Sequence, residues 1–121
     1  MTPMNPITLY GIPNCDTVKK ARAWLAEHHV DAQFHDFKKH GVPAEAMARW
    51  IGQVGWEPLL NRKGTTWRKL ASEQQVQAAA EQGAVALMQS QPSVIKRPVV
   101  DWGHCVTVGF DAVLWQKLAS R

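Results

Sequence analysis

The sequence predicts an α/β domain in which a β-α-β half and a β-β-α half are separated by a helical insertion at about residues 43–91. Three observations point to it. A β-type run, "ITLY", passes through a tight turn into an amphipathic helix, and the middle of the chain carries helical periodicity. β-type residues then return in "RPVV" and "HCVTV" before a last helix. At 121 residues the chain is long enough to enclose one core without disulfide or metal staples, so a single domain spanning 1–121 is expected.

The first strand is expected at 7–10, closed by Gly11, Pro13 and Asn14, with a helix beginning at Cys15 or Asp16. Val18, Ala21 and Leu25 fall on one helical face, while Lys19, Lys20, Arg22 and Glu27 face water. "AQFHDF" at 32–37 alternates as a second strand. Pro43 opens a helix whose Met47, Trp50, Ile51 and Val54 form one stripe, ending at Gly55. Residues 59–70 read as a basic, Gly-punctuated connection. A Ser72–Gln75 capping box starts the next helix and Gly83 stops it, after which "AVALMQSQ" supplies a further short helix. Val99 and Val100, a turn at 101–103 and a run at 104–108 form a hairpin, and Asp111 starts a helix in which Leu114 and Leu118 share a face. No repeat, linker or low-complexity segment marks a second domain. This order is the connectivity of a thioredoxin-like fold, and Pro98, directly before the third strand, stands where that fold carries a cis-proline opposite its reactive cysteine.

Apolar residues make up 45% and charged residues 20% of the chain, which excludes a disordered or collagen-like protein. The six tryptophans are expected mostly in the core. No apolar run is long enough to span a bilayer, and residues 1–6 lack the features of a signal peptide, so a cytoplasmic location without membrane association is expected. There the two cysteines, ninety positions apart, are expected as free thiols. Neither lies in a CxxC or a zinc-spaced cluster, His104 and Cys105 are adjacent, and no metal is expected. His28, His29, His35 and His40 read as surface or edge histidines. The net charge of +4 is a mild bias towards anionic partners, short of the dense stripe of a nucleic-acid binder. Arg62, Lys63, Arg68, Lys69, Lys96 and Arg97 gain importance if the fold brings them near Cys15.

Cys15 is the candidate nucleophile. At a helix start, free backbone N–H groups and the helix dipole favour the thiolate. Asp16 is expected to oppose this, leaving a moderate depression of the titration. The competing reading is a buried, inert thiol; for Cys105, expected in mid-strand among valines, the inert reading is preferred.

The runs "LYGIPNCDTVKKARAWL", "LLNRKGTTWRKL", "IKRPVV" and "GFD", in this order, resemble the arsenate reductase-like (ArsC/Spx) family over nearly the whole chain, and most closely its YffB-type subgroup, regarded as glutathione-dependent thiol reductases. The resemblance implies a single nucleophilic cysteine, Cys15, no bound cofactor, and glutathione as co-substrate. An oxidised small molecule or protein thiol would be the other partner. It also implies a binding set of Arg97, Pro98, Arg62, Asn61 and Asn14. Arg97 matches the arginine before the cis-proline in the glutaredoxin-coupled arsenate reductases. Asn61, with Arg62 one place later, and Val108 stand where those enzymes carry two further arginines, so arsenate reduction is the least favoured activity. The Spx branch implies the alternative, an RNA polymerase-binding regulator. Val18 stands where its CxxC switch has the second cysteine, which excludes such a switch here.

Overall fold

A computed structural model describes residues 7–119. The elements run β1 (Ile7–Gly11), α1 (Asp16–Glu27), β2 (Ala32–Asp36), α2 (Phe37–His40), α3 (Ala44–Val54), α4 (Thr65–Lys69), α5 (Ser72–Gln77) and α6 (Glu81–Ser90). They end with β3 (Val99–Asp101), β4 (Val106–Val108) and α7 (Ala112–Ala119). Two units result: one from residues up to 37 together with those from 97 onward, the other from 38–96. The segment expected to hold the inserted helices lies inside the second. No helix among the described residues is long and apolar enough to cross a membrane.

The first unit is a thioredoxin-like α/β layer. Its four strands lie in the order β2-β1-β3-β4. β1 and β2 pair in parallel, Leu9 opposite Phe34, as a helical crossover requires; β3 runs antiparallel to both β1 and β4. The expected stripe of α1, Val18, Ala21 and Leu25, is joined by Trp24, and the four bury against Leu9, Val100, Trp102 and Trp115. Trp115 is the hub. It meets Trp24, Trp102 and Phe110 edge to face at 5.7, 5.2 and 4.8 Å between ring centroids, the arrangement that aromatic quadrupoles favour. The Trp102 indole reaches the Thr107 hydroxyl at 3.0 Å.

Around this frame several sequence expectations shift. The second strand stops at Asp36, and Phe37 opens a short helix. β4 begins at Val106, so His104 and Cys105 lie in the hairpin connection, where the Cys105 carbonyl accepts the Trp102 N–H at 2.8 Å. On α7 the buried residue is Trp115; Leu114 is exposed and Leu118 half-buried, because the helix turns its ring into the aromatic cluster.

In the second unit, the stripe of α3 buries Met47 and Trp50 and leaves Ile51 and Val54 half-buried. The chain segments 59–61 and 94–96 pair backbone to backbone: Leu60 bridges Ile95, Asn61 N–H donates to Val94 O at 2.8 Å, and Lys96 N–H donates to Leu59 O at 2.7 Å. The basic 59–70 stretch is not a bare connection, since α4 forms within it. The capping residue of α5 is Ala71 rather than Ser72, which is already helical. Only the reach-back half of a capping box is made, Ala71 N–H donating to Gln74 Oε1 at 3.2 Å, because alanine offers no side-chain acceptor. Gly83 does not stop a helix. It lies inside α6, where a Cβ would run into the Gln77 carbonyl oxygen at the end of α5.

This close approach separates two helical glycines. Gly83→Ala is expected to destabilise the protein by about 1–3 kcal/mol, the usual range for overpacking. Gly52→Ala, where a Cβ meets nothing within 4 Å, should stabilise it by up to about 1 kcal/mol through helix propensity. Urea unfolding of the two variants gives both signs; equal effects would mean that α6 does not pack on the end of α5 in this way.

Candidate active site

The site is built where β1 hands over to α1. Gly11 ends the strand, buried, and an added Cβ would stand 2.8 Å from Val18 Cγ2, so the strand end lies directly on the first turn of α1. Pro13 and Asn14 form an exposed turn. Cys15 follows in extended conformation (φ −104°, ψ 126°) as the residue capping α1, and its carbonyl accepts the Lys19 N–H at 2.9 Å, closing the first helical turn. The N–H groups of Thr17 and Val18, unpaired within the helix ladder at this end, act on the half-buried thiol, although its side chain makes no capping hydrogen bond of full geometry.

Arg97 arrives from the far side of the sequence. β3 runs antiparallel to β1 with Val99 opposite Tyr10, so the residues just before β3 lie at the end of the sheet where β1 stops. The Arg97–Pro98 peptide is cis, Pro98 is buried, and its carbonyl accepts the Gly109 N–H at 2.8 Å. The Arg97 side chain hydrogen-bonds the Cys15 sulfur. Burial pushes the Cys15 thiol up. The hydrogen bond from Val18 N–H, the hydrogen bond and positive charge of Arg97, and the hydrogen bond from Thr17 N–H act in the other direction and prevail, so the thiol titrates below its ordinary value. The opposition comes from burial rather than from Asp16.

The structure thus brings Arg97 to Cys15, with Pro98 next to Arg97 across a cis peptide bond and Asn14 exposed one residue before the thiol. Val108 closes β4 opposite Val99. Asn61 and Arg62 belong to the 38–96 unit. There the Asn61 side chain serves its own loop, Oδ1 accepting the Lys63 N–H at 3.1 Å. The Arg62 guanidinium lies over the rings of Trp56 and Trp67. The free amides expected at the helix start are those of Thr17 and Val18. Gly11 stood out in the sequence as a turn residue, but not as the point where the strand end meets Val18. Among the described residues no group of three or more His, Cys, Asp or Glu could hold a metal.

A thioredoxin-like domain with one activated thiol at a helix start and a guanidinium beside the sulfur defines a class of cysteine-centred α/β proteins. The ArsC family model matches residues 10–118, and the chain belongs to that family. It is similar to the solved structure of a YffB protein, with 46% identity, a TM-score of 0.87, and coverage of 93% of this chain and 98% of that one. An uncharacterized protein of Haemophilus influenzae is 37% identical over 110 residues, 91% of this chain and 96% of the relative. The global transcriptional regulator Spx of Streptococcus pyogenes is 26% identical over 117 residues, 95% of this chain and 86% of its own.

In the folded protein iodoacetamide should label Cys15 faster than Cys105 at neutral pH, and Arg97→Ala should move the midpoint of the Cys15 rate profile to higher pH. The sign also fixes a stability effect. A thiol depressed in the folded state adds stability that is fully present above its unfolded-state titration and lost as pH falls through the folded-state one. The stability difference between the wild type and Cys15→Ser should therefore change in favour of the wild type as pH rises through that window, measured by urea unfolding along a pH series; a flat difference would mean no depressed thiol.

Proposed function

We propose that the protein is a glutathione-dependent thiol reductase working through Cys15 alone. The observation that carries this reading is the pairing of an activated thiol with the absence of a second cysteine in its helix turn: the position three residues on is Val18, fully buried in the core. A thiolate so placed attacks a disulfide but has no neighbouring thiol to release it. With a glutathionylated substrate, the Cys15 sulfur bonds to the glutathione sulfur, the substrate sulfur leaves as a thiolate and takes a proton from water, and Cys15 is left in a mixed disulfide. A second glutathione thiolate attacks the glutathione sulfur of that disulfide. Oxidised glutathione departs, one sulfur coming from the substrate's mixed disulfide and the other from the single free glutathione thiol consumed per glutathionylated substrate reduced, and Cys15 returns as a thiolate. Arg97 stabilises the sulfur anion as it forms and leaves.

Arsenate reduction fits less well. A multiply charged oxyanion beside a thiolate calls for several cations, and of the three arginine positions implied by the resemblance only that of Arg97 is kept. At roughly 1.5–3 kcal/mol per charged hydrogen bond, the two losses remove several kcal/mol of oxyanion stabilisation. A second reading, polymerase binding without a redox switch, draws on the similarity to Spx regulators along most of the chain.

Incubation with oxidised glutathione, followed by intact-mass measurement, should give one adduct on Cys15, absent in Cys15→Ser and slower to form in Arg97→Ala. Arsenate should be turned over poorly when glutaredoxin and glutathione are supplied. Brisk arsenate turnover abolished by Cys15→Ser would overturn the substrate assignment, while no adduct together with capture of RNA polymerase would favour the regulator.

A further inference from the structure

The positive charge is unevenly spread. Residues 38–96 carry eight Lys and Arg against four Glu, so the whole net charge of +4 resides in that unit. Half of its cations, Arg62, Lys63, Arg68 and Lys69, fall within eight successive residues that contain no acid. All four are exposed, and among the described residues none forms an ion pair. Arg62 stands apart from the others. Its guanidinium carbon lies 6.0 Å from the centroid of the Trp56 ring and 5.7 Å from that of Trp67, both rings half-buried. Each ring face attracts the cation and restricts its rotation. The support beneath is tied down: Asn61 N–H donates to Val94 O at 2.8 Å, and the Trp67 carbonyl accepts from Leu70 N–H at 3.1 Å and from Gln75 Nε2 at 2.9 Å.

We propose that this surface binds an acidic, carboxylate-bearing segment of a partner protein, with Arg62 as the anchor. A guanidinium presents its donors in a planar fork that matches a carboxylate, and one already held against two rings has little side-chain freedom left to lose. Lys63, Arg68 and Lys69 add attraction at the rim, which speeds encounter with an acidic partner. Tryptophan and arginine side by side are the residue types in which interface energy concentrates. A single-stranded nucleic acid is a poorer fit. Its bases stack on open aromatic faces, whereas Arg62 lies over both rings, and four cations make a short track for a phosphate backbone. The resemblance counted Arg62 among the residues expected to bind glutathione; the ring-held fork points to carboxylate-bearing peptides more broadly and does not depend on the chemistry of Cys15.

Fluorescence anisotropy of a labelled peptide of alternating Glu and Gly, titrated with the full chain at physiological ionic strength, tests the proposal. Saturable one-to-one binding is expected. Arg62→Lys, which keeps the charge but loses the fork and the ring contact, should weaken it about tenfold. Lys117→Gln, which removes a charge on α7, should leave it unchanged, as should Cys15→Ser. The proposal is overturned if no saturable binding occurs, if Arg62→Lys binds as the wild type does, or if Lys117→Gln weakens binding as much as Arg62→Lys. It is also overturned if a single-stranded oligonucleotide of equal charge binds more tightly than the peptide.

Discussion

Everything distinctive about the first unit depends on holding a sulfur anion at the start of α1. The thiol of Cys15 is half-buried, and burial alone would keep it protonated and unreactive. The amides of Thr17 and Val18, together with Arg97, reverse that balance. The two amides come without extra cost in structure, because the first turn of any helix leaves its N–H groups unpaired. The guanidinium does not. It comes from a residue more than eighty positions away, and only the antiparallel pairing of β3 with β1 delivers it to the sulfur.

That dependence explains why so much of the unit is rigid packing. If β1 and β3 slipped by one residue, every inward side chain would turn outward and Arg97 would move off the thiol. Leu9 and Val100, directly paired and buried on one face, oppose such a slip. The Trp24, Trp102, Phe110 and Trp115 cluster fixes α1 and α7 against the same face. Gly11 completes the alignment, since its missing side chain lets the first turn of α1 sit on the strand end. Stability and reactivity therefore share one set of contacts, and a change in the aromatic cluster would reach the sulfur through the position of α1.

The sequence was most legible where a period repeats. The helical spacing of Val18, Ala21 and Leu25 marked the buried face of α1, and the valines on either side of a glycine-containing turn marked the hairpin. Legibility failed where one residue type serves two purposes. Gly83 read as a helix stop, but it is a contact point between α5 and α6. α4 was hidden because "TTWRK" is too short and too polar to show an apolar stripe. Ser72 looked like a cap because serine commonly is one, yet the chain enters α5 one residue earlier. Cys15 was visible from its position at the helix start, and with it the free amides of that turn, whereas Arg97, distant in sequence, was tied to it only through the resemblance.

The most direct test of this account is an NMR pH titration of the reduced protein that follows the Cys15 Cβ resonance together with the amide protons of Thr17 and Val18. The account requires the Cys15 midpoint to lie below that of an ordinary cysteine, with both amides shifting at the same midpoint as they pass from thiol to thiolate. A midpoint at or above the ordinary value, with the two amides unmoved, would contradict it.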